Sequence, residues 1–175
     1  THTDYDSYIG TTWNLDDEIG IFAYKDGGGT SVVDIMSNYK GTYKKEDGSD
    51  FYYFDSHYYI LYAQGVKYDL YAYYPYQEGQ TSEHSVKVTV PEVQIQKEAG
   101  NIEHLKSTDL LYGHNYYAWS SSDPDKGKLN QKVHMDFYHA LSVLEISLTS
   151  SEKDVSISSV TATIEDDAEV FSVSD

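Results

Sequence analysis

Cysteine, arginine and proline are absent or scarce in this chain of 175 residues. It contains no cysteine and 3 prolines, and its only strongly basic side chains are lysines. The lack of cysteine excludes disulfide bonds, thiolate metal sites and thiol nucleophiles. The formal net charge is -17, from 29 acidic residues against 12 basic ones. We therefore expect no nucleic-acid partner, because nucleic-acid binding depends on Lys and Arg neutralising phosphates.

Long apolar runs are missing as well. No stretch approaches the roughly 20 apolar residues that a membrane-spanning helix needs, so we expect no direct membrane insertion by this segment. An acidic chain is also poorly suited to an anionic membrane surface. No signal peptide is visible and the first residue is Thr1, so we expect a processed or trimmed form of a longer precursor.

Strand-forming residues are abundant. The chain has 19 tyrosines and many valines, isoleucines and threonines, a composition that favours β-strands. A chain of this length buries roughly 70% of the surface that its unfolded form exposes, which is enough for one core. The composition therefore predicts an all-β protein and a single domain over residues 1–175.

The clearest strand pattern lies between Lys67 and Gln77, where side chains sort by parity onto two faces of a sheet. The apolar face holds Val66, Tyr68, Leu70, Ala72 and Tyr74. The charged or amphipathic face holds Lys67, Asp69, Tyr71 and Tyr73. We predict a half-buried strand that ends at Pro75, because proline has no amide hydrogen to give to a neighbouring strand.

Shorter strand patterns follow one another along the rest of the chain. Apolar residues on both faces of Glu18–Tyr24 predict a strand that is covered on both sides, and Asp47-Gly48 predicts a hairpin turn. Further alternation involves Val86, Val88 and Val90, then Val133, Met135 and Phe137, then Leu144, Ile146 and Leu148, then Val160 and Ala162, then Phe171 and Val173. About ten short strands predict an antiparallel β-sandwich. At most one short helical turn is expected, within Ala99–Ser107.

Sequence patterns that support catalysis or metal binding are weak. No nucleophile motif, zinc-protease motif or phosphate-binding loop occurs. His134 and His139 are five residues apart, which places them on opposite faces of a strand and disfavours a shared metal. The run Asp123–Gly127 resembles a calcium loop only in part and fits a solvated turn better. We expect no enzyme activity, no cofactor and no metal site.

Aromatic side chains offer the only candidate binding residues. Exposed rings with polar tips suit contact with a glycan or a protein partner, and the candidates are Tyr71, Tyr73, Tyr76, Tyr116, Tyr117 and Trp119. The alternative is a purely structural use, because tyrosine covers sheet faces without any ligand. The sequence favours the structural use.

A set of short motifs, in a fixed order, resembles the fimbrillin family. The motifs are Trp13 with Asp17, then Ile19-Gly20-Ile21-Phe22, then Tyr71 to Tyr76 with Tyr74 and Pro75, then Asp109-Leu110-Leu111-Tyr112, and then Val133 to Leu148 with Phe137, His139, Ala140 and Leu141. Together they cover most of the chain. The fimbrillin family comprises the fimbrial (pilus) subunits and related surface proteins of anaerobic Gram-negative bacteria.

The resemblance implies a fold, a location and a role. The fold is a transthyretin-like sandwich that represents the N-terminal domain of the family, with the second domain absent from this chain. The location is the cell surface, outer membrane or fimbrium, after export as a lipoprotein. The implied role is that of a non-enzymatic fimbrial subunit or adhesin that joins other subunits by strand exchange and contacts host or bacterial surfaces. A glycan-binding surface module that uses exposed Tyr and Trp is the alternative.

Overall fold

The computed structural model describes residues 12–26, 32–50, 52–57, 66–91, 93–97, 101, 103–118, 133–142, 146–152, 155–156, 159–163 and 169–174. The chain divides into two compact units, Thr1–Ser142 and Val143–Asp175. The expectation of one domain over residues 1–175 stays a prediction.

A six-stranded antiparallel sheet forms the first unit. Its strands are β1 (Glu18–Asp26), β2 (Val32–Lys45), β3 (Tyr52–Asp55), β4 (Lys67–Tyr74), β5 (Leu111–Ala118) and β6 (Phe137–His139). They are arranged in the order β3-β2-β1-β4-β5-β6. One 3-10 helix, Glu103–Thr108, precedes β5. In the second unit, β7 (Ser159–Thr163) pairs antiparallel with β8 (Glu169–Ser174). Over the residues that the structure describes, the predictions of an all-β chain and of at most one helical turn are confirmed.

The predicted ten strands and sandwich are not confirmed, since the described residues hold eight strands. The strand predicted over Val86–Val90 is wrong. These residues form no strand in the structure, and the Gln80 side chain instead bonds to both the backbone N–H and the C=O of Lys87, each at 2.8 Å. Ile146 and Leu148 likewise lie outside any strand. Alternation of apolar residues shows that a segment is able to form a strand, but a strand also needs a partner.

The main core lies on one face of the sheet, here called the inner face. Its most buried members are Ala23, Met36, Tyr68 and Leu70, with exposures of 0%, 5%, 1% and 7%. The pairing of Ala23 with Leu70 aligns β1 with β4 so that their apolar side chains share this face. Burial of Tyr68, Leu70 and Ala72 confirms the predicted register of β4.

The six-stranded sheet is curved around Trp13 at one end. Its ring lies 4.9 Å from Phe54 on β3, 5.3 Å from Tyr74 on β4 and 5.2 Å from Phe137 on β6, measured between ring centroids. Phe54 and Phe137, which belong to opposite edge strands, are only 6.2 Å apart. In a flat sheet, strands spaced by about 4.8 Å would put these edges roughly 24 Å apart. The sheet is therefore strongly curved around the inner face, with Trp13 between its edges.

A tight turn before β1 holds Trp13 in place. Asn14 donates its backbone N–H to the Asp17 carboxylate at 2.7 Å, and the amide of Asp17 donates back to the Asn14 carbonyl at 3.1 Å. Two further backbone hydrogen bonds tie the turn to Tyr43 of β2: Asp16 N–H donates to Tyr43 O at 3.0 Å and Tyr43 N–H donates to Asp17 O at 2.8 Å. This turn explains why Trp13 and Asp17 occur together in the sequence.

The opposite, outer face is covered at the centre of the sheet. Phe22 is fully buried there and Tyr73 is 5% exposed, so the prediction that β1 is covered on both sides is confirmed. The expected exposure of Tyr73 is wrong. Its ring lies over Gly20, where an added Cβ would come within 2.0 Å of the ring, and the chain that follows Pro75 folds back over it.

A polar network fixes the Tyr73 hydroxyl. This oxygen lies 2.6 Å from Asn38 Oδ1 and 2.9 Å from the carbonyl oxygen of Gln77, while Asn38 Nδ2 donates to the same carbonyl at 2.9 Å. Asn38 has a φ of 53°, in the left-handed region that Asn tolerates better than most residues. It lies at a register shift between β1 and β2, which turns its amide towards Gln77.

We predict that Gly20→Ala destabilises the fold because the new methyl group and the buried Tyr73 ring would occupy the same space. Overpacking of this kind costs about 1–3 kcal/mol. In the Tyr73→Ala variant this ring is absent. Adding Gly20→Ala to that variant should therefore cause no further loss in the free energy of unfolding. Urea unfolding of the two single variants and the double variant measures this coupling.

The Gly41→Ala variant provides the matched control. An added Cβ at Gly41 would meet Ile21, Ile19 and Phe54 rather than Tyr73. The loss in free energy of unfolding caused by Gly41→Ala should therefore simply add to the loss caused by Tyr73→Ala. Equal costs of Gly20→Ala in both backgrounds would show that the Tyr73 ring does not lie over Gly20.

Candidate functional site

Exposed rings line the outer face where β5 and β6 meet. Tyr112, His114 and Tyr116 alternate along β5, so all three point to this face. Tyr138 of β6 pairs with Tyr112, and Tyr71 of β4 pairs with His114. Tyr112, Tyr116 and Tyr138 are 53%, 65% and 58% exposed. These five residues are called the aromatic face below.

The rings of the aromatic face contact one another. Tyr71 and His114 are stacked, with centroids 4.3 Å apart and planes 18° from parallel. His114 meets Tyr116 edge-on at 4.6 Å, and Tyr112 lies 5.9 Å from Tyr138. Such contacts limit the rotamers of exposed rings, so the face is an ordered surface.

Asp69 supplies a carboxylate within this face. Its Oδ1 lies 2.5 Å from His114 Nε2, and its Oδ2 accepts a hydrogen bond from the Tyr71 hydroxyl at 3.1 Å. Burial of the Tyr71 ring, followed by the negative charge of Asp69, raises the pKa of Tyr71 to about 12. Tyr71 therefore stays a neutral hydrogen-bond donor throughout the physiological range.

A groove of ≈ 390 Å³ runs beside the aromatic face. Its lining includes Tyr71, Tyr73, Glu83, Val86, Tyr112 and His114. Glu83 accepts a hydrogen bond from the Tyr24 hydroxyl, which attaches this part of the chain to β1. Burial is the largest single influence and raises the pKa of Glu83, but the Tyr24 hydrogen bond, a backbone hydrogen bond and the charge of His84 together leave that pKa lowered. The groove thus has one wall with a carboxylate and one wall with exposed rings.

The structure brings together some of the candidate rings and separates others. Tyr71 and Tyr116 share the aromatic face, while Tyr117 points to the inner face and packs against the core. Tyr73 is buried. Tyr76 is half-buried beneath the Lys40 ammonium, which lies 5.2 Å from its ring centroid. Trp119 lies outside the described residues.

Sequence reasoning missed Tyr112, His114 and Tyr138. The period-two spacing of Tyr112, His114 and Tyr116 was a signal available in the sequence, because it places all three side chains on one face of a strand. Tyr138 joins them only through the pairing of β6 with β5, a long-range contact that no local pattern reveals.

The residues that carried the family resemblance occupy packing and anchoring positions. Tyr74 and Phe137 contact Trp13, Pro75 follows a cis peptide bond, and Leu110 is buried at 7%. Asp109 Oδ1 lies 2.7 Å from His139 Nδ1. The Tyr74 hydroxyl lies 3.4 Å from Asp17.

Metal ligands do not converge in the described part of the chain: no group there of three or more His, Asp or Glu is able to hold an ion. His134 and His139 lie beside different carboxylates, those of Asp136 and Asp109. The run Asp123–Gly127 lies outside the described residues. The search of the described residues for a helix long and apolar enough to cross a membrane found none.

Comparison with known proteins identifies one family. A family model described as fimbrillin-like matches residues 6–170, which is nearly the whole chain. Comparisons with curated proteins and with solved structures gave no significant match.

We predict that alkaline pH destabilises the fold through tyrosines whose pKa is raised. Burial, followed by the charges of Asp17 and Asp109, raises the pKa of Tyr74 to about 12, as for Tyr71. An unfolded tyrosine titrates near 10. The stability that these phenols contribute is therefore complete below about pH 10 and is lost as the pH rises towards about 12.

Urea unfolding at several pH values from 9 to 12 checks this prediction. The Tyr71→Phe/Tyr74→Phe variant has no phenol to ionise at these positions, so its stability should fall less steeply over this range than that of the unmodified chain. An equally steep fall in both proteins would contradict the raised pKa values.

Proposed function

Since the chain belongs to the fimbrillin-like family, we propose that it is a structural subunit of fimbriae or an adhesin associated with them. In this proposal it is exported, lies at the outer membrane or in the fimbrium, and is anchored through a lipid on its precursor. Its partners are other fimbrial subunits and host or bacterial surfaces. Its role is adhesion rather than catalysis, and the family match is the observation that carries the proposal.

Strand exchange between subunits is the mode of assembly that we propose. The supporting feature is the segment of residues 85–97, in which apolar side chains alternate with polar ones on each side of Pro91, where the parity changes, and most of the apolar ones lie exposed. Val88, Val90, Val93 and Ile95 are 39%, 43%, 70% and 69% exposed. Within the described residues this segment belongs to no sheet. A strand-forming segment of this kind gains both hydrogen bonds and apolar burial when it joins the sheet of another subunit.

An open strand edge is the second element that such assembly needs. β2 pairs with β1 from Val32 to Thr42, but it pairs with β3 only from Thr42 to Lys45. In the ranges that the structure describes, β3 is the strand on the outer side of β2, and it pairs only with Thr42 to Lys45. A strand at the edge of a sheet is a template for an added strand.

The acidic charge fits a surface role in which subunits stay apart until specific contacts form. A net charge of -17 produces mutual repulsion that keeps separate molecules in solution. Assembly then depends on strand addition, which provides many backbone hydrogen bonds at once. Adhesion also requires a surface that binds a partner. In the alternative function, a glycan-binding module with exposed Tyr and Trp provides that surface.

We predict that Val93→Asp and Ile95→Asp each strongly reduce polymer formation by the full-length protein. A carboxylate buried in a strand interface without a partner carries a large desolvation cost. The monomer should keep its stability within about 0.5 kcal/mol, because both side chains are exposed before assembly. Sedimentation and electron microscopy of fibres measure the first effect, and urea unfolding measures the second.

Gln94→Asp is the matched control for the part of the segment after Pro91, since this residue lies between Val93 and Ile95 and has the opposite parity to both. It introduces the same charge and should leave polymer formation nearly normal. Equal polymer yields from all three variants would overturn the role of residues 85–97. A full-length protein found as a cytoplasmic monomer would overturn the fimbrial proposal itself.

A further inference from the structure

The aromatic face is exposed, although other aromatic rings on the same outer face of the sheet are buried. Phe22 and Tyr73 on the same outer face are buried, whereas Tyr112, Tyr116 and Tyr138 are more than half exposed. Exposed rings that contact one another mark a binding surface more often than scattered single ones do. Tyrosine and histidine are also well suited to recognition, because each has an apolar ring and a polar tip.

Polar groups lie beside the rings of the aromatic face. The Asp69 carboxylate lies between Tyr71 and His114 and is 31% exposed, so its unused lone pairs are able to accept hydrogen bonds from a ligand. Glu83 and His84 line the adjoining groove. The surface therefore combines flat rings with hydrogen-bonding groups, which is the composition of sites that orient small polar ligands.

We propose that the aromatic face binds a neutral oligosaccharide. A sugar ring presents C–H groups on its face, which pack on aromatic rings, and hydroxyl groups at its edge, which bond to carboxylate and imidazole atoms. Tyr112 and Tyr116 are four residues apart on β5, a separation of about 13 Å. The face is thus long enough to contact a linear chain of sugars rather than a single unit.

Charge decides between neutral and acidic sugars. Asp69 and Glu83 place carboxylates at this surface, and the whole chain carries a net charge of -17. An acidic glycan would be repelled by both. The neutral class is therefore the one that the surface accepts.

A strand donated by another subunit is a poorer occupant of this face. Strand addition uses the edge of a sheet, whereas the aromatic face lies on the flat of β4, β5 and β6. A covering strand would also bury the Asp69 carboxylate, which is costly for a charged group. Glycan binding uses the rings of this face, whereas assembly uses residues 85–97, of which Val86 and Val88 also line the adjoining groove. Retardation in gels and fibre formation test the two proposals separately.

Affinity electrophoresis of the 175-residue chain tests the proposal, in gels that contain β-glucan, α-mannan or xylan, with polygalacturonate as the acidic probe. We expect at least one neutral polysaccharide to retard the chain and polygalacturonate not to. Tyr112→Ala and Tyr116→Ala should each weaken that binding by about three- to tenfold, the range expected for one aromatic contact. Tyr112→Phe keeps the ring and should retain most of the binding.

Tyr52→Ala is the matched control. Tyr52 is 42% exposed and lies on the opposite edge strand, β3, so its loss should not change retardation. The proposal is overturned when no neutral polysaccharide retards the chain, when polygalacturonate retards it equally, or when Tyr52→Ala weakens binding as much as Tyr112→Ala. Thermal unfolding of each variant verifies that the fold is intact in every comparison.

Discussion

The contact of Trp13 with both edges of the six-stranded sheet is the constraint on which the rest of the first unit depends. By lying between Phe54 of β3 and Phe137 of β6, the indole ring keeps the sheet curved. The curvature encloses Ala23, Tyr68 and their neighbours in an inner core and turns the opposite face outwards. Edge-on contacts between aromatic rings add to the burial of their apolar surface, and the turn at Asn14–Asp17 fixes their geometry.

Much of the local structure was predictable from the sequence, because it depends on side-chain parity and turn chemistry. The buried face of β4 and the Asp47-Gly48 hairpin follow from patterns a few residues long. The curvature around Trp13 was not predictable, since it joins residues more than 100 positions apart. Burial of Tyr73 also escaped prediction, because the cover comes from chain beyond Pro75. Parity alone tells which face a residue occupies, but not what covers that face.

Assembly and binding depend on different features of the molecule, although Val86 and Val88 of the segment 85–97 also line the groove beside the aromatic face. Strand addition needs an open edge and a segment that lacks a strand partner, and residues 85–97 and β2 provide these. Recognition of a ligand needs ordered groups on a surface, and the aromatic face provides these on the other side of the sheet from Trp13. Among the candidate rings that the structure describes, only Tyr71 and Tyr116 belong to that surface. The sequence predicts aromatic side chains as the candidates, and the sheet topology decides which tyrosines share one face.

Amide hydrogen exchange tests most directly the claim that residues 85–97 obtain a strand partner through assembly. The measurement compares these amides in the monomer and in the assembled fibre, with the amides of Tyr68–Ala72 in β4 as the protected reference. We predict rapid exchange of these amides in the monomer, apart from Lys87, whose N–H donates to the Gln80 side chain, and slow exchange in the fibre. Exchange in the monomer as slow as that of β4 would contradict the account, because the segment would then already belong to a sheet within a single chain.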